Sequence, residues 1–159
     1  RLEAIQPADI GKAAIERLGA QFAEKGLTLE SDVSSSLSAV TADHDRAVQV
    51  LTNLLTNALR YTPAPGRVRL SARPGSDGVD FRVSDSGVGI AADELPRLFE
   101  RFYRVDKSRS RAAGGSGVGL TIARALAEAM GGTLSAESAG PGKGATFTFT
   151  LPPVRRSTP

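Results

Sequence analysis

Asn53-Leu54-Leu55-Thr56-Asn57-Ala58-Leu59-Arg60-Tyr61 and, further along, Asp85-Ser86-Gly87-Val88-Gly89 decide how this chain is read. The first stretch belongs to an apolar-periodic segment spanning 43–61, with Ala47, Leu51, Leu54, Leu55 and Ala58 on one face and Thr62-Pro63 as the stop. At about 100° per residue Asn53 and Asn57 fall nearly on one line, with Arg60 on the same side, flanking that face. Amide oxygens and a cation therefore point into one cleft. Mg²⁺ is a hard cation that keeps most of its waters and takes few protein oxygens beside phosphates, so an Asn oxygen suits it.

Asp85 ends an alternating run over 79–84 and precedes two glycines, which allow backbone to approach a flat ring closely. A carboxylate placed there can accept a hydrogen bond from an exocyclic amine, which guanine lacks at the equivalent ring position. Adenine selection follows. Gly87-x-Gly89-x-x-Ala92 also fits a relaxed dinucleotide fingerprint, but no acidic residue follows at the end of a second parallel strand. A third block, Gly114-Gly115-Ser116-Gly117-Val118-Gly119-Leu120, opens a helix, where backbone N–H groups and the positive helix end hold phosphate oxygens. It is not a Walker motif, and Gly142-Lys143 lacks the flanking residues of one and reads as a turn.

Around these blocks the periodicity predicts a helix over 7–25 ended by Gly26, a strand over 27–30, and a Ser-rich turn over 34–36 leading to a short strand over 38–41. Thr41 or Asp43 is the expected cap of the second helix. Strands over 67–73 and 79–84 flank a hairpin-type loop, the run 87–117 reads mostly as loop, and a helix over 117–130 precedes strands over 133–138 and 146–151. Helices and strands do not strictly alternate. The expected class is α+β, a two-layer α/β sandwich with helices on one face of a mixed β-sheet.

The 159 residues are enough for one domain with its own core. The absence of cysteine removes any disulfide frame or thiolate metal site, and a single histidine makes a His-based zinc site implausible. No apolar run is long enough to span a bilayer, so the expectation is a soluble piece. The formal charge is +3; the segment 101–111, with Arg101, Arg104, Lys107, Arg109, Arg111 and Asp106, contributes +4 and leaves −1 for the rest. Basicity confined to so short a segment suits an anionic small ligand better than a nucleic acid.

In this order the three blocks resemble the catalytic ATP-binding domain of sensor histidine kinases, in the superfamily shared with gyrase, the ninety-kilodalton heat-shock chaperones and the MutL repair proteins. Leu98-Phe99-Glu100-Arg101-Phe102-Tyr103-Arg104-Val105-Asp106-Lys107-Ser108-Arg109 is similar to that family's phenylalanine-containing box and ATP lid. The resemblance covers residues 1–153, leaving 154–159 as a polar tail, and implies the Bergerat ATP-binding fold. It implies Asn57 as principal Mg²⁺ ligand with Asn53 assisting, and a catalytic group of Arg104, Asn53 and Arg60 at the transferring phosphoryl. It implies ATP contacts from Asn57, Tyr61, Asp85, Gly87, Gly89, Gly115, Gly117, Val118, Gly119, Leu120 and Thr146, with Tyr61 standing either beside the nucleotide or on the sheet.

The activity implied is transfer of the γ-phosphoryl group of ATP to a histidine on a separate dimerisation and phosphoacceptor hairpin, with a response regulator downstream. His44, at the start of the asparagine-bearing helix, is not that histidine. The intact protein would be a membrane-associated homodimer with this domain in the cytoplasm. Three rivals share the pocket: an ATPase switch of the gyrase, MutL or chaperone kind, an anti-sigma serine kinase, and a non-enzymatic nucleotide-sensing module. The first carries a water-activating glutamate where this chain has Asn53, and an amide cannot take that proton.

Overall fold

The structure, a computed structural model, describes residues 1–100 and 119–154. Strand β1 (Glu3–Ile5) leads into helix α1 (Pro7–Lys25), which starts on a proline that needs no N–H there and stops at Gly26, whose φ of 82° a side chain would disfavour. Then come β2 (Leu27–Asp32), β3 (Val40–Ala42) and helix α2 (His44–Tyr61). A hairpin of β4 (Gly66–Gly75) and β5 (Gly78–Asp85) follows, then a 3₁₀ turn at Leu95–Arg97, helix α3 (Gly119–Ala129), β6 (Thr133–Glu137) and β7 (Ala145–Leu151).

Five strands form one mixed sheet in the order β2-β4-β5-β7-β6, with β2 and β4 parallel and the other pairs antiparallel. The expected α+β sandwich is what the chain adopts. The alternation of β7, buried at Ala145, Phe147, Phe149 and Leu151, turns one face to the helices and leaves Thr146, Thr148 and Thr150 on the other. Helix α2 lies between α1 and α3 and carries Ala47, Val48, Val50, Leu51, Leu54, Leu55 and Ala58 into the core. Phe81 and Phe149 stack with ring centroids 5.8 Å apart on that same inner face. Fully burying each large apolar side chain contributes roughly 1.5–3 kcal/mol, which outweighs the ordinary helix propensity of α2.

Of the two caps expected for α2, Asp43 is the one used, its Oδ1 accepting from the Arg46 amide at 3.1 Å. Two local expectations change. The short strand begins two residues and ends one residue later than the expected 38–41, because β3 pairs with a strand the periodicity missed: β1, three residues long, forms a separate two-stranded sheet with it. Three residues are too few to show a period. β3 is also tied to the far end of the chain, Thr41 donating its amide to Pro152 O at 2.9 Å and its hydroxyl to Pro153 O at 3.0 Å.

Candidate nucleotide site

The C-terminal half of α2 and the loop leaving β5 meet at one edge of the sandwich. Asn53, Asn57, Arg60 and Tyr61 follow one another along the flank of α2, each half-buried. The two asparagines are not equivalent. Asn53 is engaged through both side-chain atoms, Oδ1 accepting from Gln49 Nε2 at 2.6 Å and Nδ2 donating to the Gly119 carbonyl at 3.0 Å, so that it ties α2 to the first turn of α3. Among the described residues Asn57 makes no side-chain hydrogen bond, so its amide oxygen has both lone pairs available to a cation. The described residues also bring together no three His, Cys, Asp or Glu side chains as a cage. A magnesium ion beside Asn57 would therefore take most of its oxygens from phosphates and water, the coordination it favours.

Asp85 is the best-defined member. Its Oδ1 accepts from the Gly87 amide at 2.8 Å and from the Ala145 amide at 3.3 Å, which fixes the carboxylate plane and leaves Oδ2 without a hydrogen bond among the described residues. Burial pushes the Asp85 carboxyl above its ordinary value of 3.8, while those two amides pull it back. A fixed acceptor oxygen in a partly dry setting is what recognition of an amine requires.

The glycines around Asp85 are there for contact. Gly89 has φ 73° and a Cβ on it would lie 2.1 Å from the Gly140 carbonyl oxygen; Gly144 has φ 70° and its Cβ would lie 2.1 Å from the Asp85 carbonyl oxygen. On Gly87 the Cβ would fall 2.4 Å from the Tyr61 carbonyl oxygen. These approaches let three segments lock by backbone alone: Val88 N–H donates to Tyr61 O at 3.1 Å, Gly142 N–H to Val88 O at 2.7 Å, and Gly144 N–H to Gly87 O at 3.2 Å. Ser86 ties the loop to β4, its amide donating to Arg67 O at 3.0 Å and its hydroxyl accepting from Arg67 N–H at 2.9 Å. Beside this frame lies a cavity of about 360 Å³ lined by Asp85, Ala145 and Thr146, by Glu137 at the end of β6, and by Ser138 and Lys143 of the β6–β7 connection.

Glu137, Ser138 and Lys143 are absent from the residues expected from sequence. The signal that could have found them is the glycine spacing at Gly140, Gly142 and Gly144, all three with positive φ. Gly142-Lys143 is the turn it was read as. Thr146 lines that cavity, and its hydroxyl meets Ser84 Oγ at 3.0 Å, with its side chain on the opposite face of the sheet from Asp85 because successive residues on β5 and β7 point to opposite sides. The residue paired with Asp85 is Ala145.

Gly119 opens the described part of α3 and is exposed, while Leu120 packs against the core. Phe99 sits edge-to-face on Phe147 with centroids 6.3 Å apart, under the Arg124 guanidinium at 5.3 Å, and its carbonyl accepts from Thr121 Oγ1 at 2.9 Å. It anchors the point from which the basic segment departs. Phe102, Arg104, Lys107, Arg109, Arg111, Gly115, Gly117 and Val118 lie outside the described residues. His44 is on the first turn of α2, its Nδ1 3.2 Å from Asp45 Oδ1, and takes no part in this frame.

Comparison with known proteins gives the family and the fold. Residues 42–155 match the family model described as histidine kinase-, DNA gyrase B-, and HSP90-like ATPase. The chain is 44% identical over 115 residues to the sensor histidine kinase WalK of Bacillus subtilis, covering 71% of this chain and 19% of that protein. To the signal transduction histidine-protein kinase BaeS of Escherichia coli it is 42% identical over 132 residues, 83% of this chain and 28% of the other. Among solved structures, full-length ShkA in complex with AMPPNP superposes with a TM-score of 0.80 at 32% identity, over 98% of this chain and 32% of that one. The chain thus spans less than a third of the length of these relatives.

Proposed function

The chain belongs to the histidine kinase-, DNA gyrase B-, and HSP90-like ATPase family, and on that premise we propose that it is the ATP-binding catalytic domain of a two-component sensor kinase, donating the γ-phosphoryl group to a histidine on a separate dimerisation and phosphoacceptor hairpin. The observation that carries the reading is the Asp85 carboxylate, pinned through Oδ1 by two backbone amides, beside a helix carrying Asn57, with neither Asp85 Oδ2 nor the Asn57 amide hydrogen-bonded among the described residues. In this reading Oδ2 accepts from the adenine amine and the Gly87–Gly89 loop lies along the base. Asn57 and phosphate oxygens hold Mg²⁺, which neutralises charge on the phosphates. Arg60 stands near those phosphates, Arg104 steadies the departing phosphoryl, and the glycine turn at Gly115–Gly119 seats the chain of phosphates.

Asn53 supports transfer over hydrolysis. An amide bonded to Gln49 and to the Gly119 carbonyl can neither take a proton from water nor leave its place cheaply, so its role here is to set the distance between α2 and α3. The nucleophile then comes from the partner hairpin, and a response regulator receives the phosphoryl group afterwards. The intact protein is read as a membrane-associated homodimer with residues 1–153 as its cytoplasmic ATP-binding unit; among the described residues no helix is long and apolar enough to cross a membrane.

The test is to mix this chain with labelled ATP and a dimerisation hairpin of the same protein. Acid-labile, base-stable phosphate on the hairpin, with slow hydrolysis by the chain alone, is the expected outcome. Rapid hydrolysis without transfer would favour an ATPase switch, and acid-stable phosphate on a partner serine an anti-sigma kinase.

A further inference from the structure

Helix α2 ends in a way that leaves its last carbonyls without the usual donors. Four carbonyls at the end of a helix have no partner within it, and the ordinary remedy is a left-handed glycine whose own and following amides turn back onto them. Here the capping residue Thr62 is extended, φ −110° and ψ 109°, as the residue before a proline must be, and the next position, Pro63, has no N–H to give. Donors must come from elsewhere in the fold. Lys25, the last residue of α1, donates from Nζ to Leu59 O at 2.5 Å and to Arg60 O at 3.4 Å. The next carbonyl, Tyr61 O, accepts from the Val88 amide at 3.1 Å. Three successive carbonyls are thus covered from two directions, by a cation suited to the negative end of a helix and by the loop that positions Asp85.

We infer that Lys25 is a positioning residue of the nucleotide site: its ammonium is the external cap of α2, holding the turn that carries Arg60 and Tyr61 against the Gly87–Gly89 loop. The inference rests on the ATP-site reading and adds to it a residue distant in sequence that would not touch the ligand. Gly26 makes the reach possible, because its left-handed turn ends α1 at Lys25, with the Gly26 amide donating to Ala23 O at 3.1 Å. The last turn of α1 and the site-bearing turn of α2 then move as one piece. Displacement of α1 at this end would be felt at Tyr61 and Val88, while mid-helix positions Leu51, Leu54 and Leu55, buried in the core, would not respond.

The test compares Lys25→Met, which keeps the stem and loses the donors, with Lys25→Arg, which keeps both. Two quantities are read: amide hydrogen exchange without nucleotide, resolved to residues, and affinity for Mg²⁺–ADP by calorimetry. In Lys25→Met, exchange at Val88 should speed up about tenfold and affinity fall about fivefold, as expected for losing a charge-assisted bond at an exposed position. Protection at Leu51, Leu54 and Leu55 should hold, and Lys25→Arg should keep both quantities near wild type. Unchanged exchange at Val88, unchanged affinity, a uniform loss of protection along α2, or failure of arginine to substitute would each overturn the role. If the wild-type chain bound no Mg²⁺–ADP, the ATP reading itself would fall and the role with it; normal wild-type binding with an unaffected Lys25→Met variant removes the role alone.

Discussion

The two ends of α2 are built by different means. At its start the capping bond itself is local, Asp43 Oδ1 accepting from the amide of Arg46 three residues on, while the Asp43 amide also donates to Met130 Sδ at 3.5 Å. At its end the carbonyls of Leu59, Arg60 and Tyr61 are served by Lys25 and Val88, far away in the chain. The locally capped end contributes stability, and the end completed by tertiary contacts carries the candidate site. A binding surface made from several segments can be adjusted by any of them, which a self-contained helix end cannot.

That contrast can be broken most directly at Asn57. Asn57→Ala should lower affinity for Mg²⁺-bound nucleotide by roughly 10- to 100-fold, since it removes an oxygen from a site with few protein ligands, while the melting temperature stays close to wild type. Calorimetry with and without Mg²⁺ checks this, and wild-type affinity would remove Asn57 from the metal site. Gly144→Ala comes next. A Cβ at φ 70° and 2.1 Å from the Asp85 carbonyl oxygen forces the β6–β7 turn away from the β5 exit. The expected cost is about 2–3 kcal/mol of stability together with loss of nucleotide binding. Chemical denaturation reads the first quantity, and an unaltered midpoint would mean that the two loops are not locked.

Asp85→Asn separates recognition from stability. The amide oxygen can still accept from Gly87 and Ala145, but its NH₂ donates where the adenine amine needs an acceptor, so ATP affinity should drop about tenfold and discrimination against GTP should narrow. Burial raises the Asp85 carboxyl, so the folded state holds this proton more tightly than the unfolded chain does, and the ionised form costs stability at neutral pH. Asp85→Asn should therefore melt higher than wild type at pH 7, with the gain shrinking as pH falls toward the ordinary carboxyl value of 3.8. By the same sign, wild-type ATP affinity should decline on acidification before an ordinary carboxylate would titrate. Melting curves and binding isotherms across that range are the check. The smallest effect belongs to the other end of the helix: Asp43→Ala should cost about 1 kcal/mol of stability and leave nucleotide affinity unchanged, and a marked change in affinity would erase the contrast between the ends.

Much of the site was legible because its chemistry is local. Asn57, Asp85 and the glycines at 87 and 89 stand in short stretches whose period and turn residues indicate helix or strand end without reference to anything else. Asn53 was legible as a polar flank residue, but not as the residue bonded to Gln49 and to the Gly119 carbonyl, because that carbonyl comes from a helix far along the chain. The sequence could not show that Ala145 is the residue paired with Asp85 while the Thr146 hydroxyl meets Ser84, because that depends on the register of β7 against β5. β1 is too short to announce itself, and the start of its partner β3 was set two residues early for that reason.

The order of letters determined the elements, the buried face of α2 and the residues able to bind a cation and an amine, since period, capping and side-chain chemistry act over a few residues. Folding in three dimensions decided which oxygen of Asp85 is held, which asparagine makes no side-chain hydrogen bond among the described residues, that Lys25 reaches the end of α2, and that the Gly140–Gly144 turn packs on the Asp85 loop. Those outcomes depend on distances between segments far apart in the chain. Such distances follow from how the helices pack on a mixed sheet, and no local pattern encodes them.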